Sequence, residues 1–420
     1  MKTAFLLTAL LCATLLAAAD VSNLQALSPA ERAIAAAEKQ TVDTPKSPQS
    51  WNALAMALAR RARETSDNTF YDRANEALQK SITIAPANFE AEKINVWLLL
   101  GRHEFAKALE AAETLNKKVP DDVQVYGFLV DANAELGNYD AAEKAAQWML
   151  NLRPANIPGL TRAAYLREVF GDVEGALELM EMAFQSTPLN EAEDRAWILT
   201  QMAHLELSHG NLASAETLLR SALEIFPDYH YALARMAELR QAQKRFGEDA
   251  TLLEKRYKAA PHAENLFDLA AALHRAGRRA EASRRFMEFE VAALKESRSN
   301  DNANRELIFY YADYAHKPND ALRIARLEAG RRQDVHTLDA YAWALYRAGQ
   351  IAESDAVMKR ALKVGIRDAR ILTHAGVIAA KRNHDGTARR YLREASLLNT
   401  VGSDLAREQL SQLNVRRSAK

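Results

Sequence analysis

The segment DDVQVYGFLVDANAELGNYDAAEKAAQWMLNLRP, residues 121–154, contains one complete repeating unit of this chain. The stretch before Leu136 is amphipathic with helical spacing, and Gly137 and Asn138 then make a turn. A second amphipathic stretch follows, with Ala142 on its apolar face, and Pro154 ends it. The segment therefore predicts two helices that fold back on each other as a hairpin.

The same unit recurs along the chain with a period of 34 residues. This interval separates the successive prolines Pro86, Pro120, Pro154 and Pro188, and also Pro227 and Pro261. A small residue lies twelve positions before the proline in unit after unit, at Ala74, Ala108, Ala142, Ala176 and Ala215. Helices that cross closely need such a residue, because a larger side chain at the crossing would push them apart.

These features resemble the tetratricopeptide repeat family, whose units of about 34 residues combine small residues at helix crossings with a closing proline. The resemblance covers most of the chain and is closest at residues 342–349 (AWALYRAG) and 269–277 (LAAALHRAG). It implies an all-α fold, namely a right-handed α-solenoid of about ten hairpins that starts near Ser50 and ends near Thr400. It also implies a scaffold that binds other proteins and has no enzyme chemistry.

The repeats and their flanks predict six segments. In chain order the first four are a signal peptide (1–19), an N-terminal helix and linker (20–48), the N-terminal part of the solenoid (49–296) and a polar loop (297–304). The last two are the C-terminal part of the solenoid (305–400) and a capping helix with a tail (401–420). The sequence Ser28-Pro29-Ala30-Glu31 has the form of a capping box that opens the N-terminal helix. The polar loop is either a hinge or a surface insertion.

Three places depart from the repeat pattern. In the first unit, residues 64–70 form either an enlarged turn or extensions of both helices. In the sixth unit, Asp249 and Arg256 stand where small residues are usual, so its second helix is expected to be shifted or poorly packed. Between Pro188 and Pro227 the interval is 39 residues, which predicts an insertion at residues 189–194.

The N-terminus has the organisation of a secretion signal. Lys2 gives a positive start, residues 4–16 are apolar, and residues 17–19 are alanines that suit cleavage before Asp20. A retained membrane anchor is one alternative, although the uncharged stretch at residues 3–19 is shorter than the roughly 20 residues that span a bilayer. Lipid attachment at Cys12 is another. We therefore expect an exported protein, in the periplasm or secreted, with no stable membrane insertion after cleavage.

Composition argues against several kinds of function. Basic and acidic side chains balance at 55 each, so no overall field attracts nucleic acid. The only cysteine is Cys12, which leaves the mature chain without a disulfide or a catalytic thiol. His204 and His209 are not spaced as metal ligands, and no phosphate-binding glycine loop is present. The sequence predicts no cofactor, no metal and no catalytic residue, and it leaves the oligomeric state open.

In the family that this chain resembles, the first helix of each hairpin lines a concave groove. Carried over by register, the resemblance implies a partner-binding groove of mainly aromatic and acidic character. Its residues are Trp97, Asp131, Tyr165, Glu168, Trp197, His204, Tyr231, Glu238, Asp268, Phe309, Asp313, Asp339, Trp343 and Tyr346. Because none of them is a lysine or an arginine, we expect a protein or peptide partner with basic or apolar segments.

Two alternatives stay open for this groove. Its aromatic side chains stack on the sugars of a cell-wall glycan, or they pack against the next repeat and contact no partner. In the same way, each acid is either a partner contact or part of a solvated helix face. A protein partner is the preferred hypothesis, because this fold more commonly binds peptides.

Overall fold

A computed structural model describes residues 27–398 and 400–418 of the chain. These residues form twenty-two α-helices and one short π-helix, and none of them lies in a strand. The predicted all-α class is therefore confirmed. The predicted signal peptide, together with Cys12, lies outside the described residues.

Ten helical hairpins make up most of the described chain, with α1 (Pro29–Asp43) before them and α22 (Ser403–Ser418) after them. The first five are α2 (Pro48–Thr65) with α3 (Thr69–Ile84), α4 (Phe89–Gly101) with α5 (Phe105–Lys118), α6 (Val123–Glu135) with α7 (Tyr139–Leu152), α8 (Ile157–Val169) with α9 (Val173–Ser186), and α10 (Ala192–Ser208) with α11 (Leu212–Ile225). The next five are α12 (His230–Ala242) with α13 (Phe246–Ala259), α14 (Ala263–Arg275) with α15 (Arg279–Glu296), α16 (Asn304–Phe309) and the π-helix (Tyr310–Tyr314) with α17 (Pro318–Ala329), α18 (Val335–Arg347) with α19 (Ile351–Leu362), and α20 (Ala369–Lys381) with α21 (Asp385–Leu397).

The hairpins pack through the small residues that the 34-residue period singles out. The predicted crossing residues Ala74, Ala108, Ala142, Ala176 and Ala215 have no exposed surface. A methyl group at each crossing lets the two helix backbones approach closely, as the sequence predicts. The turn inside the hairpin of α6 and α7 places Gly137 at a φ of 77°, a conformation that side chains with a Cβ disfavour.

Two compact units divide the described chain. The first comprises residues 27–64 and 68–94, and the second comprises residues 65–67 and 95–418. The boundary falls inside α4, between Ile94 and Asn95, whereas the polar loop predicted as a possible hinge lies within the second unit. We refer to these as unit 1 and unit 2.

In unit 1 the N-terminal helix is held by its cap and by charge pairs with α2. The predicted capping box is confirmed, since the Ser28 hydroxyl accepts from the Glu31 amide and the Glu31 carboxylate accepts from the Ser28 amide. Arg61 on α2 forms an ion pair with Glu31 at 2.7 Å. Ser28 also donates its hydroxyl to Glu64 at 2.6 Å, which ties the start of α1 to the end of α2.

The irregular units keep intact helices. Helix α2 extends to Thr65, so the extra residues of the first unit lengthen a helix rather than enlarge the turn. The expectation of a shifted or poorly packed helix in the sixth unit is wrong: α13 is regular, and Asp249 and Arg256 are both buried in it. Each carries a charge partner on α14, since Asp249 pairs with Arg275 at 2.9 Å and Arg256 pairs with Asp268. The insertion predicted at residues 189–194 is divided between a loop, in which Leu189 is exposed, and the first turn of α10, which begins at Ala192.

The polar loop at residues 297–303 is fixed to unit 2 by one arginine. The Arg331 guanidinium donates to the carbonyl oxygens of Ser297, Arg298 and Ser299 at 2.6 to 3.1 Å. The Asn304 side chain donates to the Ser297 carbonyl as well, at 3.1 Å. These bonds order the loop in this structure, and its role as a hinge stays a prediction.

The last hairpin is covered by α22. Ala406 and Leu413 of this helix are buried in a cluster with Leu392 and Ala395 of α21. Within the described residues, no helix combines the length and the apolar character that crossing a bilayer requires.

Candidate functional site

Unit 2 curves back until its early hairpins touch its late ones. The Gln333 amide, just before α18, donates to the Glu135 carbonyl at the end of α6, at 3.0 Å. The Val335 amide donates to the Tyr139 hydroxyl of α7, also at 3.0 Å. Val335 and Tyr139 belong to one buried apolar cluster. We call the contacts of Glu135 and Tyr139 with residues 332–335 the closure contact.

A second point of closure brings two backbones together. Gly171, in the turn between α8 and α9, has a φ of 82° and lies against Gly365, which follows α19. A Cβ placed on Gly171 would lie 2.5 Å from the Gly365 carbonyl oxygen. Only glycine fits there, because the approaching atom is backbone and cannot move aside as a flexible side chain would.

The centre of the closure contact is a buried arginine. The Arg332 Nε donates to Asp334 at 2.9 Å, and its Nη2 donates to Glu135 across the closure. Burial raises the pKa of Asp334, but the positive charges of Arg332 and Arg305 outweigh burial and hold it below its usual range. Burial and the same two arginines lower the pKa of His103 to about 3, so His103 is neutral at physiological pH.

The first helices of unit 2, together with the segment that leads into α20, carry polar side chains that are partly open to solvent and whose charges act on one another. We call these side chains the inner surface. They are Tyr165, Glu168, His204, Arg235, Glu238, Glu264, Asp268, Arg305, Glu306, His336, Asp368 and Arg370.

Inner-surface residues on different helices shift one another's pKa values. Burial raises the pKa of Glu168 on α8, but His204 on α10 and His336 on α18 lower it below its usual value overall. Burial lowers the pKa of Arg370 on α20, while several carboxylates, among them Glu238 on α12, raise it. Helices far apart in sequence are therefore close enough for their charges to interact.

The acids of the predicted groove are paired with basic side chains of the same chain. Asp131 is bound by both Nε and Nη2 of Arg162, at 2.8 and 2.5 Å. Arg235 pairs with Glu238 at 2.7 Å, and His204 contacts Glu168 at 2.8 Å. Arg256 pairs with Asp268. The surface is thus mixed in charge, and the expectation of an acidic face without arginine is corrected.

One part of the inner surface brings three carboxylates together. Glu264 and Asp268 on α14 lie near Glu306 on α16, with Arg256 and Arg305 among their basic neighbours. Burial and the negative charge of Glu264 raise the pKa of Glu306 to about 7, although Arg305 opposes them. Burial likewise raises the pKa of Asp268. A carboxylate that holds its proton near neutral pH marks a site where an added cation is favourable.

The C-terminal members of the predicted groove form a structural cluster instead of an open surface. Asp339 and Trp343 are buried, and His374 on α20 contacts both. The His374 Nδ1 lies 2.7 Å from Asp339, and its ring stacks on Trp343 at 4.0 Å between centroids. Trp343 also donates its indole N–H to both oxygens of Asp313 at 3.1 Å. The predicted site residues Asp313, Asp339 and Trp343 therefore connect α18 to the helices beside it.

The other predicted groove residues all lie on first helices and are half-buried. Trp197 packs beside the apolar clusters of α10, and Tyr346 stacks on Trp343 at 5.0 Å. Phe309 lies under the Arg370 guanidinium, at 5.1 Å from the ring centroid. Trp97 and Tyr231 are half-buried in the same way. Partner binding by any of these side chains stays a prediction.

Sequence reasoning missed the basic half of the inner surface. Arg235, Arg305 and Arg370 all lie on first helices, and Arg235 shares its helix with the predicted acid Glu238. Register along each helix was a sufficient signal for Arg235, because it precedes Glu238 by one helical turn. No signal within one repeat indicates that His336 faces Glu168, since that proximity depends on closure.

The described side chains include no group of three or more His, Cys, Asp or Glu residues arranged to hold a metal ion. The paired arginines and carboxylates of the inner surface are suited to recognising charged side chains by hydrogen bonds.

Comparisons with known proteins agree with the repeat architecture. A tetratricopeptide repeat model matches residues 195–239, which span most of α10 through α12. The structure of a human IFIT1 dimer with PPP-AAAA is similar at 15% identity, with 85% of this chain and 84% of that chain covered and a TM-score of 0.51. A thermophilic TPR protein from Thermus thermophilus matches at 21% identity over 46% of this chain and 98% of its own, with a TM-score of 0.40. No curated protein matches in sequence.

Proposed function

We propose that this chain, which has tetratricopeptide repeats and their helical solenoid fold, is an exported scaffold that binds a segment of a partner protein on its inner surface. The repeat fold is that of a protein-interaction scaffold. The partner, the compartment and the use of the inner surface are the proposed parts.

The observation that carries the proposal is the inner surface itself. It gathers charged side chains, each partly open to solvent, from seven successive hairpins. Buried charges are costly unless they are paired, and a chain selected only for stability gains more from apolar packing than from such a lining. A partner segment that contacts several first helices at once makes use of the arrangement.

The chemistry of the surface favours a segment with basic side chains. Three carboxylates come together at Glu264, Asp268 and Glu306, where a lysine or arginine of the partner would add a charge pair. Phe309 on α16 is half-buried and already has the Arg370 guanidinium over its ring, which is the kind of contact that a partner's cation would make.

Site-specific photo-crosslinking in cells tests the location. Benzoylphenylalanine replaces Tyr231 on α12, the helix that carries Arg235 and Glu238 of the inner surface, and the matched control replaces Trp148, which is exposed on α7. We expect a protein adduct from position 231 and none from position 148. Adducts from position 148 alone would place the partner elsewhere, and an adduct with cell-wall glycan would support the sugar-binding alternative.

The partner identified in this way then allows a test of charge. The double variant Glu264→Gln, Glu306→Gln should weaken a basic partner about tenfold at low salt, because two inner carboxylates are lost. The control Glu281→Gln, Glu288→Gln removes the same charge from the outer face of α15 and should leave affinity unchanged. Equal losses in both variants would mean that net charge, not the inner surface, governs binding.

Export is tested separately by N-terminal sequencing of protein from the periplasm or medium. We expect the mature chain to begin at Asp20 or within a few residues of it. An intact Met1 on membrane-bound material would indicate a retained anchor instead.

A further inference from the structure

The outer face of α21 carries a stripe with three arginines, outside the inner surface. Gly386, Arg389, Arg390, Arg393, Glu394 and Leu397 line a shallow depression of about 370 Å³. Their spacing of alternately three residues and one residue places all six on one side of the helix. The stripe lies on the second helix of the last hairpin, whereas the inner surface is built from first helices and the segment that leads into α20.

The three arginines of the stripe have no carboxylate partner among residues 27–398 and 400–418. The single acid in the stripe, Glu394, pairs with Arg367 at 3.3 Å. Arg390 lies over the ring of Tyr391 at 4.8 Å, which leaves its charge uncompensated. The depression is therefore positively charged, although the whole chain is neutral.

Several exposed arginines beside or on earlier second helices are paired. Arg278, just before α15, and Arg285 on α15 pair with Glu281 and Glu288, each one helical turn further along. Arg245, just before α13, pairs in the same way with Glu248. Such pairs are an ordinary means of neutralising an exposed arginine on a helix. On α21 the acids at this spacing form no such pair within the described residues, since Asp385 does not pair with Arg389 and Glu394 pairs with Arg367 instead. The three arginine charges are therefore available to another molecule.

A second observation points to a missing acceptor. The Nη1 atom of Arg389 is shielded from solvent and has no hydrogen-bond partner in the described part of the chain. A shielded, unsatisfied donor costs free energy, and more so when it is charged. A carboxylate brought in from outside would give the Arg389 guanidinium the anionic partner that it lacks.

We infer that the α21 stripe binds an acidic segment of a second protein, with carboxylates that pair with Arg389, Arg390 and Arg393. The exposed side chain of Leu397 at the end of the stripe offers one apolar contact beside them. An anionic membrane fits less well, because a helix that lies on a bilayer presents a broad apolar face and this stripe has a single large apolar side chain. This inference is independent of the inner surface and of its partner.

Fluorescence anisotropy with a labelled decaglutamate peptide tests it, using the mature chain at low salt. The triple variant R389A/R390A/R393A should bind the peptide at least about tenfold more weakly than the wild type, and wild-type binding should weaken in high salt. The control triple R245A/R278A/R285A removes the same charge from arginines that are already paired, and it should keep wild-type affinity. Thermal unfolding of both variants by circular dichroism checks that they remain folded.

Three results would overturn the inference. One is an equal loss in both triple variants, which would show that net charge alone attracts the peptide. Another is wild-type affinity in R389A/R390A/R393A, which would place the acidic segment elsewhere. The third is binding to phosphatidylglycerol vesicles that needs these arginines while decaglutamate does not bind, which would make the stripe a membrane contact.

Discussion

Replacing Arg332 with methionine should open the closure contact of unit 2. The arginine is buried, and it links Asp334 at the start of α18 to Glu135 at the end of α6. Methionine retains an apolar side chain that fills much of the same volume, so the substitution removes the charge and its hydrogen bonds rather than creating a large cavity. The Phe105 ring, 5.4 Å from the guanidinium, loses a cationic neighbour as well.

The expected loss of stability in Arg332→Met depends on which interactions Asp334 and Glu135 keep. Removing one partner of a buried ion pair usually costs about 3 to 5 kcal/mol, because it leaves an uncompensated charge. Asp334 keeps three donors, namely the amides of His336 and Thr337 and the Thr337 hydroxyl. Glu135 has about a third of its side chain exposed and can be solvated. We therefore expect a value at the low end, about 3 kcal/mol.

Two measurements test the effect of Arg332→Met. Urea unfolding by circular dichroism gives the free energy of unfolding of Arg332→Met and of wild type. Energy transfer between labels on Asp140→Cys and Lys363→Cys, one on each side of the closure contact, reports whether unit 2 opens. The mature chain from Asp20 has no native cysteine, so only the introduced ones are labelled.

The control is Arg278→Met, which removes an exposed arginine paired with Glu281 and should cost less than about 1 kcal/mol. If Arg332→Met costs no more than this control and leaves energy transfer unchanged, the closure contact contributes no stability and the reasoning above is refuted.

Three further predictions concern packing, pH and a buried hydrogen bond. Ala142→Leu should lower the free energy of unfolding in urea by about 1 to 3 kcal/mol because it overpacks a helix crossing, whereas Leu at the exposed neighbour Ala141 should be neutral. Glu306 has a pKa of about 7 in the folded chain and a lower pKa in the unfolded chain, so the stability of the wild type should fall as the pH rises toward 7. The variant Glu306→Gln should show a smaller fall over this pH range, and above pH 7 its melting temperature should exceed that of the wild type. Trp343→Phe removes the indole donor from Asp313, and calorimetry should show a loss of about 1 to 3 kcal/mol; no loss would mean that water replaces that donor.

Much of the fold is predictable because its determinants are local. Ala142 and Ala176 lie at helix crossings for a reason visible within one 34-residue unit, and the capping box at Ser28 involves only three further residues. The sixth unit shows the limit of this reasoning. Asp249 and Arg256 look unsuited to a packed helix until their partners Arg275 and Asp268, both on the next helix, are known.

The sequence by itself determined the repeat, the hairpins and the helices that carry the candidate site residues. Only the tertiary structure decided that Glu135 meets Arg332 and that Glu168 faces His336. The rotation between neighbouring repeats is small and is set by packing at each interface, so its sum over seven hairpins cannot be obtained from the pattern of one. That sum brings the third and ninth hairpins together, and the acids of the groove expected from register are found paired with basic side chains.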